Sequence, residues 1–219
     1  MRIVLLGAPG SGKGTQAEFI ATQYHLPIIS VGEILRKSTK NDTSISKTIK
    51  NTMNNGKLIS DTIIIKLVKN YISQTTRNPG FILDGFPRTI AQAKTIENKE
   101  INVDYIFEFK IPSQIILERI KGRRIDPISG KTYHLNTENY SKNLNKIDLA
   151  RRIDDSEIII KKRLEEYKKF TIPLINHFNK TLNTKNFKYY TINGTKTIQD
   201  INKKIKNILN KDTKLQNLF

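Results

Sequence analysis

The chain has 219 residues and a formal net charge of +18, because 38 lysines and arginines outnumber 20 aspartates and glutamates. It has no cysteine, which excludes disulfide bonds and thiolate-bound zinc. It also has no apolar run of membrane-spanning length and no secretory leader, so we expect a cytoplasmic protein long enough for one sizeable core.

The first predicted elements are a buried strand over residues 2–6, a glycine-rich loop and a helix that begins near Gln16. The loop reads Gly7-Ala8-Pro9-Gly10-Ser11-Gly12-Lys13-Gly14-Thr15 and matches the G-x-x-x-x-G-K phosphate-binding pattern. Its glycines allow backbone N–H groups to point inward, the helix N-terminus adds partial positive charge, and the lysine adds a full one. We interpret the stretch as a nucleotide phosphate site rather than a glycine turn on an unrelated fold.

The residue after the lysine departs from the general pattern, in which a Ser or Thr hydroxyl holds Mg²⁺. Here that residue is Gly14, and Thr15 follows one place later. Either Thr15 acts as a substitute, or phosphates, water and a carboxylate elsewhere hold the metal.

The next segment predicts a short strand over residues 26–29 and several polar helices. Ser30 followed by Glu33 suggests a capping box for a helix over 32–36. Two further helices are predicted over 44–54 and 61–74, and Asp61 is the expected N-cap of the second. Because residues 30–60 have few large apolar side chains, we expect a small lobe attached to the core.

A buried strand over residues 81–84 ends in Asp84, next to the position expected for a phosphate loop. This is the usual place for a metal-holding acid, although an Asp there can also cap the next turn. A helix over 89–98 and a strand over 103–109 follow. Alternating strands and helices predict a parallel sheet with helices on both faces and ligands at the carboxyl ends of the strands.

The second half of the chain is rich in arginine. A helix over residues 113–122 carries Arg119 and leads into Arg123, two cations that Glu118 or a bound phosphate would compensate. After an irregular insertion over 126–149, a long helix carries an apolar stripe, and Arg152 and Arg163 would share one of its sides if both are helical.

Two aspartates, Asp154 and Asp155, come just before that helix, and we predict a capping role for both. A strand over residues 187–192 and a basic helix over 197–209 close the pattern, and we expect the tail from Asn210 to be frayed.

Several of these motifs resemble the adenylate kinase family. They are the glycine-rich loop, Gly56-Lys57-Leu58, Leu83-Asp84-Gly85-Phe86-Pro87-Arg88-Thr89, Gly122-Arg123-Arg124 and Lys162-Arg163-Leu164-Glu165-Glu166-Tyr167. The resemblance implies an α/β fold with a five-stranded parallel sheet of P-loop NTPase type and helices on both faces. It implies a CORE domain (1–29, 60–121 and 155–219), an NMP-binding lobe (30–59) and an inserted LID (122–154). The implied reaction is ATP + AMP ⇌ 2 ADP with Mg²⁺, carried out by a monomer.

The resemblance also implies which residues bind each nucleotide. On the ATP side these are Gly10, Ser11, Gly12, Lys13, Gly14 and Thr15 around the phosphates, Arg119 over the adenine, the backbone of Lys196 at its far edge, and Arg123. On the AMP side they are Arg36 and Arg88 on the phosphate, together with Val31, Ile59 (through its backbone), Gly85, Gln92, Arg152 and Arg163. Asp84 is implied to orient the Mg²⁺ shell through water.

The chemistry of phosphoryl transfer fits these assignments. A loose transition state offers little for a general base, so alignment and cation placement supply the rate. The arginine fork meets phosphate oxygens two at a time, and a lid would exclude water. We expect Lys13 and Arg88 to contribute most to catalysis, within a cluster that includes Arg123, Arg152, Arg163 and Asp84.

The sequence departs from the family at the AMP base and in the lid. Val31 occupies a position that is often Thr, so base selectivity depends on Gln92 and backbone groups, and a UMP or CMP kinase is the alternative. Some relatives clamp the lid with four cysteines around zinc. Here Asp126, Ser129, Asn145 and His134 make a poor zinc site, and we expect a hydrogen-bond network instead. Thr137 stands where an aromatic residue often covers the ATP adenine, so Arg119 covers it alone or with Tyr140.

A more distant alternative is a P-loop ATPase whose basic surface binds nucleic acid. The lysines are spread along the chain without a recognisable nucleic-acid module, so we expect a solvated surface with weak, salt-sensitive binding to polyanions rather than a specific nucleic-acid partner.

Overall fold

A parallel sheet forms the centre of the protein in the computed structural model, which describes residues 1–39, 43–74, 80–128, 132–135, 149–180 and 187–216. The strands are β1 (Arg2–Gly7), β2 (Ile28–Ser30), β3 (Phe81–Asp84), β4 (Tyr105–Lys110), β5 (Arg123–Ile125), β6 (Thr132–His134) and β7 (Lys188–Asn193). Five of them form the sheet in the order β2-β3-β1-β4-β7, all parallel. The predicted five-stranded parallel sheet is therefore confirmed. Strands β5 and β6 form a separate antiparallel hairpin.

The described helices follow the predicted pattern closely. They are α1 (Lys13–Tyr24), α2 (Val31–Ser38), α3 (Ser44–Asn54), α4 (Asp61–Gln74), α5 (Ile90–Glu97), α6 (Ser113–Gly122), α7 (Glu157–Glu166), α8 (Ile172–Lys180) and α9 (Ile198–Gln216). A 3₁₀ turn, Ile153–Asp155, precedes α7, and a π-helical turn, Tyr167–Thr171, joins α7 to α8. Of the described helices, none has the length and apolar character needed to span a membrane.

Helices cover both faces of the sheet because successive strand residues point to opposite sides. On one face Ile3, Leu5 and Phe107 join a buried cluster with residues of α1 and α9. On the other face Val4, Leu6 and Ile106 join a cluster with residues of α4, α5 and α8. A sheet that is buried on both faces explains why its strands read as continuous apolar runs.

The segment over residues 30–59 contributes to this second cluster. Its Val31, Leu35 and Ile49 are 3%, 6% and 6% exposed and pack in the cluster that contains Leu83 and Phe86 of the sheet side. The few large apolar residues of the expected lobe therefore attach it to the core.

Two predictions about helix ends were wrong. Ser30 does precede α2, but its side chain makes no capping hydrogen bond, and Glu33 pairs with Arg36 instead of completing a capping box. The tail expected to fray from Asn210 continues α9 as far as Gln216.

Candidate active site

A cleft with a volume of about 1080 Å³ opens at the carboxyl end of the sheet. It is lined by parts of the chain that are far apart in sequence, from the loop after β1 to the start of α9. All the predicted site residues line it: Gly10, Ser11, Gly12, Lys13, Gly14, Thr15, Val31, Arg36, Ile59, Asp84, Gly85, Arg88, Gln92, Arg119, Arg123, Arg152, Arg163 and Lys196. The fold therefore brings the predicted ATP and AMP residues into one space.

The glycine-rich loop turns between β1 and α1 at positions that favour glycine. Gly10 and Gly12 have φ of +78° and +96°, in the left-handed region. A Cβ at Gly10 would also lie 2.8 Å from the side chain of Ile120, so the loop packs directly on α6. Gly12 is the N-cap of α1 and supplies no side-chain cap, so the first N–H groups of this helix remain available to an anion.

Lys13 is the first residue of α1, and its ammonium folds back over the loop. Its Nζ donates to the carbonyl oxygens of Gly7 and Ala8 at 2.7 and 2.8 Å. Burial lowers the pKa of Lys13 to about 8, and the charge of Asp84 opposes that shift. Within the described parts of the chain, no carboxylate oxygen lies within 4.0 Å of this Nζ. The lysine is thus a partly buried cation whose partners among the described residues are neutral oxygens.

Arg88 lines the same cleft and has the same character. Its Nε donates to Gly85 O at 2.9 Å, and no described carboxylate lies within 4.0 Å of its guanidinium. Its backbone is held independently, because its N–H donates to Gln92 Oε1 at 2.8 Å and its carbonyl accepts from Thr171 Oγ1 at 2.9 Å. Burial lowers the pKa of Arg88, yet a guanidinium keeps its proton at any physiological pH.

Four other cleft arginines, Arg36, Arg123, Arg152 and Arg163, are paired with carboxylates. Asp154 accepts from Arg163 at 2.7 Å and from Arg36 at 3.4 Å, and Glu33 accepts from Arg36 at 2.6 Å. Glu33 also accepts from Arg152 at 2.8 Å, and Asp155 binds Arg123 through two guanidinium nitrogens. This network links α2, the 3₁₀ turn, β5 and α7.

The predicted capping role of Asp154 and Asp155 was therefore wrong. Ser156 caps α7 instead, its Oγ accepting from the N–H of Ile159 at 3.3 Å. Burial acts to raise the pKa of Asp154, but Arg163 and the other arginines outweigh it, and the net shift is downward. The carboxylate consequently stays ionised beside its arginines.

Two expectations about the arginines also change. Asp155, rather than Glu118, is the anion beside Arg123. Arg152 lies in extended backbone before the 3₁₀ turn, so Arg152 and Arg163 share the cleft without sharing a helix. Burial lowers the pKa of Arg163 to about 10, which leaves it charged at neutral pH.

The residues predicted to border the two adenines come from different elements around the cleft. Arg119, on α6, donates from its Nη2 to Gly194 O at 2.7 Å, which fixes the guanidinium. Val31, on α2, is 3% exposed, and Gln92, on α5, is 2% exposed. Gln92 Nε2 donates to Asp61 Oδ1 at 2.7 Å, so Asp61 faces α5 and not only its own helix.

The donor set near the loop suits a hard cation such as Mg²⁺. Asp84 ends β3, and its Oδ2 lies 3.9 Å from the position of a Cβ built on Gly14. Ser30 Oγ donates to the same oxygen at 3.5 Å. Over the described residues, no group of three or more His, Asp or Glu side chains could hold a metal on its own. One carboxylate suits a metal bound mainly through substrate phosphates and water.

The lid residues that bear on zinc and on adenine are described only in part. Asp126 Oδ1 accepts from the N–H of Ile128 at 2.9 Å, and the His134 ring packs against Gly122. Ser129, Asn145, Thr137 and Tyr140 lie outside the described residues.

Sequence reasoning missed the acidic partners of the arginines, namely Glu33, Asp154 and Asp155. The adjacency of Asp154 and Asp155 to Arg151-Arg152 is a signal that could have suggested ion pairing. No local signal could show that Arg36, which is 118 residues away, reaches Asp154.

Comparisons with known proteins agree with this geometry. A family model described as adenylate kinase matches residues 5–183. The chain is 47% identical over 211 residues to the adenylate kinase of Buchnera aphidicola subsp. Baizongia pistaciae (strain Bp), covering 95% of this chain and 98% of that protein. It is 44% identical over 214 residues to the adenylate kinase of Photorhabdus laumondii subsp. laumondii, covering 95% of this chain and all of that protein. The similarity extends well beyond the phosphate loop.

Proposed function

Because this chain belongs to the adenylate kinase family, whose reaction is ATP + AMP ⇌ 2 ADP, we propose that its cleft holds the two nucleotides with their phosphates facing each other. One observation carries this arrangement. Lys13 and Arg88 are partly buried cations without a described carboxylate within 4.0 Å, and they line the same cleft. A buried cation without a counter-charge is stabilised when a phosphate arrives.

ATP binds on the side of the glycine-rich loop in this proposal. The loop N–H groups and the start of α1 receive the β- and γ-phosphates, and Lys13 turns from the carbonyls of Gly7 and Ala8 toward them. Arg119 and Lys196 border the adenine, and Arg123 reaches the phosphates from β5.

AMP binds on the side of α2 and α5. Arg36 and Arg88 hold its phosphate, while Val31, Ile59, Gly85 and Gln92 border the base and the phosphate. Arg152 approaches from the residue before the 3₁₀ turn, where Glu33 of α2 holds it. Arg163 approaches from α7, where Asp154 holds it.

The chemical step needs alignment and charge stabilisation more than a base. An oxygen of the AMP phosphate attacks the γ-phosphorus in line, and the bridging oxygen leaves with ADP. Once both nucleotides are bound, Lys13, Arg88, Arg123, Arg152 and Arg163 surround the transferred group and stabilise its developing charge. Bound Mg²⁺ would supply further neutralisation of the phosphate oxygens, and Asp84 would hold its water shell.

Water must be excluded, or ATP would be hydrolysed. We assign that role to the LID over residues 122–154, which would close over the CORE and over the NMP-binding lobe, residues 30–59. The LID also supplies Arg123 and Arg152. The ion pair of Arg152 with Glu33, at 2.8 Å, brings the proposed LID against the proposed lobe, as closure over the cleft requires. A monomer in the cytoplasm completes the proposal.

The choice of AMP is tested by an acceptor series. A coupled assay with MgATP should show ADP formation that depends on AMP, with much lower kcat/KM for UMP and CMP. Preference for a pyrimidine nucleotide would support the alternative kinase, to which the missing hydroxyl at Val31 points. ATP hydrolysis without an acceptor, stimulated by a polynucleotide, would instead support a nucleic-acid-binding ATPase.

The pKa of Lys13 predicts how ATP capture depends on pH. Because this pKa is lowered to about 8, the ammonium is present below that pH and is lost as the pH rises through it. We expect kcat/KM for ATP to fall above pH 8 by up to about tenfold per pH unit, because this parameter reports the free enzyme. Lys13→Arg should abolish this limb, since arginine stays charged. An unchanged alkaline limb in Lys13→Arg would assign it to another group.

A further inference from the structure

Three polar side chains form a small hydrogen-bond network at the proposed AMP site, where Gln92 is the member assigned to AMP. Asp61 is the first residue of α4, and its Oδ1 accepts from Thr89 Oγ1 at 2.9 Å and from Gln92 Nε2 at 2.7 Å. Thr89 Oγ1 in turn accepts from the N–H of Gln92 at 3.2 Å and caps α5. Asp61 was expected to cap its own helix, yet these contacts direct its carboxylate at α5.

This network determines which way the Gln92 amide points. An ionised carboxylate only accepts hydrogen bonds, so the amide atom that faces Asp61 must be the NH₂ group. A backbone N–H only donates, so the atom facing Arg88 N, at 2.8 Å, must be the amide oxygen. The two contacts agree, and reversing the amide would break both. Since Gln92 is 2% exposed, water cannot readily replace them.

Among the described residues, each end of the Gln92 amide has one partner and keeps a second hydrogen-bonding position. The oxygen has a second lone pair, and the nitrogen has a second hydrogen. This donor and acceptor pair matches adenine, whose 6-amino group donates and whose N1 accepts. It opposes a 6-oxo purine such as hypoxanthine, where the position-6 oxygen accepts and N1–H donates. A reversed amide would have the opposite preference.

We propose that Asp61 is a positioning residue for purine selection: by fixing the amide of Gln92, it makes the acceptor site favour a 6-amino purine over a 6-oxo purine. This inference rests on the proposed binding of AMP beside Gln92. Val31 cannot share the task, because its side chain neither donates nor accepts a hydrogen bond. The selectivity of the site then depends on the amide orientation.

The test compares AMP with IMP as acceptors in wild type, Asp61→Leu and Asp61→Asn. Leucine has a similar size and no acceptor, whereas asparagine can present its amide oxygen to Thr89 and Gln92. In Asp61→Leu we expect the ratio of kcat/KM for AMP to that for IMP to fall by about tenfold, the value of roughly one hydrogen bond, mainly through a higher KM for AMP. Asp61→Asn should restore a ratio within about threefold of the wild-type ratio.

Two results would overturn the proposal. One is an unchanged ratio of kcat/KM for AMP to that for IMP in Asp61→Leu. The other is an equal fall of this ratio in Asp61→Asn, which would assign the effect to the charge of Asp61. Asp61→Ala repeats the loss of the acceptor if the leucine variant does not fold, as judged by its thermal unfolding. Gln92→Leu separates this inference from the proposed function. If Gln92→Leu lowers the ratio and Asp61→Leu does not, only the role of Asp61 fails. If neither changes it, the proposed position of the AMP base fails as well.

Discussion

Lys13→Ala should lower kcat/KM for ATP by about 10²–10³-fold, the loss typical of removing one preorganised charge from a transition state. The ammonium is partly buried at the start of α1, and its described partners are neutral oxygens of the glycine-rich loop. The transferred phosphoryl group carries its charge on oxygens that this lysine would approach. Removing the lysine leaves that charge to the loop N–H groups and the arginines.

A matched variant separates this effect from the loss of one positive charge in a highly basic protein. Lys66 lies exposed on α4, and Lys66→Ala makes the same change of net charge away from the cleft. Steady-state rates of ADP formation at varied ATP should be near normal in that variant. A near-normal rate in Lys13→Ala would remove this lysine from the catalytic assignment.

Features that depend on neighbouring residues were predictable from the sequence. The strand, loop and helix around Lys13 occur within 24 residues, and each has its own local signal. The bounds of α3, α4 and α6 agree with the sequence pattern for the same reason, since helix periodicity is local. The alternation of strands and helices was enough to predict the parallel sheet.

Features that depend on contacts across the fold were not predictable. Asp154 precedes a helix, so local rules assign it to a cap, but it binds Arg36 and Arg163 because the chain brings α2 and α7 together. The attraction of two guanidinium groups outweighs one capping hydrogen bond. Asp61 was misread in the same way, since its partners Thr89 and Gln92 lie on another helix.

The arginines of the cleft could be predicted from the family resemblance but not from local sequence patterns. They come from α2, the loop before α5, α6, β5, the segment just before the 3₁₀ turn and α7, and no spacing rule relates Arg36 to Arg163. The resemblance to the adenylate kinase family predicted these arginines, because likeness to a family implies that family's fold as well as its motifs. It did not name their carboxylate partners, so only the structure could show which of these cations have a carboxylate partner among the described residues.

Arg88→Ala should also lower activity strongly, because Arg88 belongs to the cleft cations without a described carboxylate partner. Arg36 forms ion pairs with Glu33 and Asp154. Arg88, in contrast, has no described carboxylate within 4.0 Å. A phosphate therefore competes with a carboxylate at Arg36 but not at Arg88. We expect kcat/KM for AMP to fall by about 10³-fold in Arg88→Ala, with a raised KM for AMP and a lower kcat, because in the proposed arrangement the guanidinium would contact both the bound phosphate and the developing transition state.

The Arg88→Ala substitution should remove the guanidinium without disturbing the local backbone. The backbone of Arg88 is held by Gln92 Oε1 and Thr171 Oγ1, and neither contact uses the arginine side chain. Thermal unfolding of Arg88→Ala should therefore stay close to that of wild type. Arg151→Ala removes an exposed arginine beside Arg152 and serves as the control for net charge. The measurement is the initial rate at varied AMP and saturating MgATP. If Arg88→Ala and Arg151→Ala have the same rates, Arg88 does not hold the AMP phosphate. The paired arginines would then have to bind that phosphate by breaking their ion pairs with carboxylates.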